Sequence, residues 1–113
     1  MALIVQTSNP TGLLAAIKRA IDQGHIQTWS YDKDGDFTHT PNQWRGQAWL
    51  RPIISPGALQ FGMLSNTAVK TTKSLYGVYH GRFIEELLTH FDADMASIAT
   101  TPLPVHGIDN IAA

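Results

Sequence analysis

The stretch "QAWLRPIISPGALQFGML", Gln47 to Leu64, decides how this chain is read. Residues 47–54 and 58–64 are rich in the aliphatic, branched and aromatic types that suit a pleated surface, and Ser55-Pro56-Gly57 between them is turn chemistry. The pattern predicts two consecutive antiparallel strands. Because side chains alternate along a strand, Ala48, Leu50 and Pro52 share one face, and Gln47, Trp49, Arg51 and Ile53 share the other. Leu59, Phe61 and Met63 align as a core set on the second strand. If Ala48 and Leu50 join them, Trp49 and Arg51 point away from the core. Pro52 has no N–H for a ladder, which argues for an edge or a bulge there.

Upstream, "HIQTWSYDKDGDFTHT" carries strand-forming residues at 25–32 and 36–40 on either side of Asp34-Gly35, the strongest short hairpin signal in the chain. Gln27, Trp29 and Tyr31 fall on one face, with Ile26, Thr28 and Ser30 opposite. His39 shares the face of Phe37 and is expected to be a half-exposed polar residue. "DKDGD" places carboxylates at Asp32, Asp34 and Asp36, but its glycine is at the fourth position and Gln43 stands at the twelfth. An EF-hand needs glycine sixth and a bidentate glutamate twelfth, so the hairpin reading prevails.

Two helices flank this run. In "SNPTGLLAAIKRAIDQG", Ser8 or Asn9 can cap, Pro10 suits the first turn and Gly24 the left-handed stop. Leu13, Leu14, Ile17, Ala20 and Ile21 form one apolar stripe. A second helix is predicted from about Ser74 to about Phe91. Tyr76, Phe83, Ile84, Leu87 and Phe91 fall within one arc, with His80 near its middle. Gly77 and Gly81 lie beside the arc, where they would let the helix approach the sheet. Leu75 and Val78 fall to the other side, near Arg82, Glu85 and Thr89, and together with Tyr79 could form part of a dimer contact.

The expected fold is therefore an α+β two-layer sandwich in the order α-β-β-β-β-α, a four-stranded antiparallel sheet with both helices on one face. Residues 2–7 supply a possible extra N-terminal strand. A single domain is expected over 1–92, with 93–113 an irregular tail marked by Pro102, Pro104 and Gly107.

At 113 residues the chain suits one core. Its net charge of −1, from eight basic and nine acidic residues, gives no long-range field to gather nucleic acid. Lys70, Lys73, Arg45 and Arg51 leave only an accessory nucleic-acid contact as a weak option. There is no cysteine, which excludes disulfides, thiolate metal sites and thiol nucleophiles. The start "MALIVQTSNP" reads as neither signal peptide nor membrane span, so cytoplasmic residence and no membrane contact are the default expectation. No cofactor-binding glycine run, P-loop or nucleophile elbow occurs, and no metal site is expected.

Two functional readings remain. The first is a non-catalytic module that binds a protein partner or another copy of itself. Trp44, Arg45, Trp49 and Arg51, with Trp29, Tyr76 and Tyr79, combine rigid aromatic area with planar donor forks, the composition of interface hot spots. The alternative is a small-ligand or enzyme site in a helix–sheet cavity, with His80 as the candidate acid or base and Tyr76, Tyr79, Trp29 and Asp36 as neighbours.

Overall fold

The computed structural model describes residues 2–111. Its elements are strand β1 (Leu3–Gln6), helix α1 (Pro10–Asp22), strands β2 (Trp29–Tyr31), β3 (Phe37–His39), β4 (Ala48–Ser55) and β5 (Ala58–Ser65), helix α2 (Lys73–Phe91) and strand β6 (Ser97–Thr100). A 3-10 turn at Asp92–Asp94 joins α2 to β6. The α+β class and the antiparallel sheet are as expected. The strand count is not: the sheet has six strands in the order β2-β3-β4-β5-β1-β6, and α1 lies in sequence between β1 and β2.

The possible strand of residues 2–7 is present as β1, while β6 was not expected. β1 lies inside the sheet, antiparallel to β5 with Val5 opposite Leu59 and to β6 with Val5 opposite Ile98. Such pairing between distant segments leaves no local sequence signature. β6 falls within the expected irregular tail, and four residues are too short a run to show periodicity. Further on, Met63 donates its N–H to Asp109 Oδ1 at 2.7 Å, and its carbonyl accepts from Asn110 N at 2.8 Å. The C-terminal segment is thus tied to the sheet.

The β4–β5 hairpin formed as read, with Ser55 opposite Ala58 and Leu50 opposite Met63 across the two-residue turn Pro56-Gly57, where Gly57 takes φ +73°. The residues flanking a two-residue turn bond to each other, so the odd-numbered residues of β4 bond to β5 and the even-numbered ones face the other way. Pro52 therefore breaks no ladder bond. Its nitrogen faces the side where β3 has ended, since β3 meets β4 only at Phe37–Leu50.

The first hairpin is shorter than predicted. Residues 25 and 26 bond back to the Ala20 carbonyl and finish α1, leaving only Trp29–Tyr31 for β2. Gly35 N bonds to Asp32 O at 3.0 Å and closes the turn.

One core joins the two helices to a single face of the sheet. Leu3, Val5, Phe37, Leu50, Leu59, Phe61 and Met63 are all buried on that face. Phe83 of α2 packs its ring against Trp29, Phe37 and Phe61. Leu13 and Ile17 of α1 enter the same core, and the Lys18 ammonium lies 5.4 Å over the Tyr31 ring. Asn9 caps α1 by accepting from Gly12 N at 3.0 Å.

The buried stripe of α2 differs from the predicted arc. It is Leu75, Tyr79, Phe83, Leu87 and Phe91, spaced four apart, with His80 beside it. A row of five large residues at i+4 outweighs the alternative arc, and Tyr76 and Ile84 become half-buried flanks. The rotation carries Gly77 and Gly81 onto the solvent side. A Cβ built on either would meet nothing within 4 Å, so neither serves close approach to the sheet.

Candidate functional site

The face of the sheet turned away from the helices is built by the alternate residues of its four longest strands. On β4 these are Trp49, Arg51, Ile53 and Ser55; on β5, Ala58, Gln60, Gly62 and Leu64. β1 adds Ile4 and Gln6, and β6 adds Ser97 and Ala99. Ala99, Ile4, Gln60 and Ile53 stand in one row across the four strands, and Trp49 sits beside Leu64. A solvated antiparallel face normally carries polar residues in alternation. Among these positions only Arg51 is charged.

That charge is neutralised locally. Arg51 Nε donates to Asp36 Oδ1 at 2.9 Å and Nη2 to Oδ2 at 2.8 Å. The carboxylate raises the guanidinium pKa still further above its ordinary range. Asp34 and Asp36 backbone N–H groups in turn donate to Asp32 Oδ1, tying the hairpin turn to the pair. The Asp32, Asp34 and Asp36 carboxylates approach within 4.8 Å of one another, but Asp36 faces a guanidinium and Asp32 accepts the turn amides. Both arrangements disfavour an added cation.

The C-terminal segment 105–111 crosses part of this face. A Cβ placed on Gly62 would lie 1.9 Å from the Ile108 carbonyl oxygen, so only glycine leaves room for the crossing chain. Asp109 fastens the segment at both ends of its turn, accepting from Met63 N and from Val105 N at 2.7 Å each.

The predicted site residues separate into two groups. Trp49, Arg51, Trp44 and Arg45 lie at or near the surface. Trp44 is half-buried in the turn 41–47 and packs on the core, while Arg45 Nε donates to Thr40 O at 3.1 Å. Trp29 and Tyr79, expected in a binding surface, are instead core residues with centroids 5.5 Å apart. The Tyr79 hydroxyl donates to the Trp44 carbonyl and lies 3.1 Å from Thr38 Oγ1, pinning the 41–47 turn. Their aromatic size determined their place: large rings stabilise most when fully buried.

His80 is buried, with Nδ1 2.6 Å from the Tyr76 carbonyl one turn back, and Tyr76 lies edge-on to it at 5.9 Å. Asp36 holds Arg51 on the opposite face of the sheet and is no neighbour of His80. A cleft of about 530 Å³ lies between the start of α1 and residues 93–96. Another of about 470 Å³ runs along the outer side of α2 past Gly77 and Gly81. His80 lines neither.

Sequence reasoning missed His39, which is buried and not half-exposed. Its ring stacks 4.7 Å from Trp29 and its Nδ1 sits 2.7 Å from the Thr28 carbonyl. Burial pushes the imidazole pKa below its ordinary value. Its alternation with Phe37 was the available signal.

Comparison with family models, curated proteins and solved structures found no match in any of the three. No helix among the described residues is long and apolar enough to cross a membrane.

Proposed function

We propose that this chain is a non-catalytic contact module that associates with a second copy of itself through the helix-free face of its sheet. One observation carries the reading: the outward row Ala99–Ile4–Gln60–Ile53, with Trp49 and Leu64 beside it, contains no charge. Two copies of an uncharged face meet without like-charge repulsion, and a two-fold interface requires a surface compatible with itself. Trp49 supplies rigid aromatic area, and Arg51, oriented by Asp36, rims the patch.

A small-ligand or catalytic cavity around His80 is not favoured by any comparable observation. Its Nδ1 bonds within its own helix, and neither cleft reaches it.

Light scattering after size exclusion tests the proposal. The wild-type chain is expected to approach twice the 12.4 kDa monomer mass as concentration rises. Ile53→Glu, at a half-buried outward position, should return it to the monomer with its circular dichroism unchanged. A wild-type chain that stays monomeric at every concentration refutes the reading.

A further inference from the structure

Gly62 is the point at which the uncharged outer face is interrupted. The outward residues of β5 are Ala58, Gln60, Gly62 and Leu64, about 7 Å from one to the next, and Gly62 alone has no side chain. A glycine inside a strand marks close approach by another backbone, and here the Ile108 carbonyl fills the space a Cβ would take. Across the ladder Gly62 stands opposite Arg51, whose guanidinium Asp36 holds at the rim. The crossing chain therefore parts the face into two uncharged areas. Ala99, Ile4, Gln60 and Ile53 lie to one side of it, and Trp49 and Leu64 to the other.

The C-terminal strap 105–111 that makes this division is fastened by few groups. Its turn closes where Ile108 N and Asp109 N donate to Val105 O at 3.1 and 2.9 Å, with Gly107 at φ +81°. Asp109 Oδ2 accepts from Val105 N, and Oδ1 accepts from Met63 N on β5. Asn110 then runs beside Leu64, its N–H donating to Met63 O and its carbonyl accepting from Ser65 N. None of residues 102–111 is fully buried. Segments that bury little apolar surface open well before the rest of a domain.

We infer that the strap 105–111 is a built-in restraint on self-association, an inference that rests on docking of two copies through this face. Sheets packed face to face lie about 10 Å apart, and the side chains of both fill the layer between them. The strap occupies that layer above Gly62. A second copy docking on the closed chain reaches the row that contains Ile53 and is kept from Trp49 and Leu64. When the strap lifts, Gly62 becomes a bare link, and the two areas form one surface. Strap closure and docking thus compete for the same space. Such coupling is reciprocal: releasing the strap tightens docking, and docking loosens the strap.

Asp109→Ala in the full chain cuts both side-chain bonds of the strap and alters no residue of the docking face. Its dimer dissociation constant, from light scattering over a concentration series, is expected to fall about tenfold below the wild-type value, within the usual range of coupling between sites. Gly62→Ala lifts the strap through a separate contact and should act in the same direction. Ile53→Glu added to either variant should return the monomer. Amide exchange at Met63 and Ser65 reports strap opening, and in the wild-type chain it should quicken as the protein is concentrated. If Asp109→Ala does not fold, Gly62→Ala and the wild-type exchange series decide the matter. A dimer constant that is unchanged or weaker in a variant with faster Ser65 exchange overturns the restraint and leaves face docking intact. Association that survives Ile53→Glu in these variants belongs to the vacated β5 edge and overturns the restraint as well. A wild-type chain that never dimerises removes face docking itself, and the restraint with it.

Discussion

Arg51 and Asp36 meet through two parallel hydrogen bonds in which the carboxylate side chain is 6% exposed and the guanidinium side chain 52% exposed. The pair is therefore unequal. Removing Arg51 strands a buried carboxylate, whereas removing Asp36 leaves a cation that water already reaches. Arg51→Ala is expected to destabilise the fold by about 2–4 kcal/mol, and Asp36→Ala by about 1 kcal/mol. Urea unfolding of both variants checks the order, and an Asp36→Ala loss equal to or above that of Arg51→Ala contradicts it.

Gly62→Ala puts a methyl group where the Ile108 carbonyl passes. Main chain on both sides gives little room to adjust, so the C-terminal strap 105–111 lifts. The cost is limited by the free energy that docks the strap, and is expected at about 1–2 kcal/mol. Amide exchange should accelerate at Met63 and Ser65 and remain slow at Leu59. Unchanged protection at Ser65 would mean that the strap does not rest on this glycine.

Gly77 and Gly81 occupy the solvent side of α2 with open space where a side chain would be. Replacing each by alanine removes backbone freedom from the unfolded chain and should stabilise the monomer by about 1 kcal/mol per site. Thermal unfolding reads this directly. Destabilisation at either site would show that another surface packs there.

His39 links stability to acidity. Its folded-state pKa lies below the unfolded value because burial disfavours the cation, so the unfolded chain binds the proton first. The associated stability is complete above the unfolded pKa of about 6.5 and is lost as pH falls toward the folded value. The slope cannot exceed about 1.4 kcal/mol per pH unit for one proton. Around the ring stand Thr28, Trp29 and Tyr79, with Glu85 and Glu86 favouring the charge and Arg82 opposing it. His39→Gln should flatten the pH dependence of urea unfolding between pH 5 and 7. An unchanged slope would assign the proton to another group.

Legibility in the sequence followed the range of the interactions. The β4–β5 hairpin was readable because its partners are adjacent and its turn has its own chemistry. Asn9 and Pro10 announced the start of α1 for the same reason. β1 was legible only as a possible strand, and its place between β5 and β6, like β6 itself, was not, since their pairing depends on residues more than fifty positions away. The rotation of α2 was hidden because two arcs of similar apolar content compete on that helix, and only the tertiary contacts of Tyr79 and Phe83 choose between them. Trp49 and Arg51 were placed on the outer face by alternation alone, whereas Trp29 could lie either way until Phe83 and Tyr79 enclosed it.

Ala2 and Leu3 bond to Thr100 and Thr101 across almost the entire chain. During synthesis β1 is made long before β6, its second neighbour in the sheet. Until residue 100 exists, β1 is the edge strand of the sheet, and the main-chain groups that β6 will occupy stay open to wrong partners. Completing the layer requires closing a very long loop, a step that contact-order arguments make slow. The molecule's vulnerable interval therefore lasts until β6 docks, while that bare edge is exposed to association with other chains.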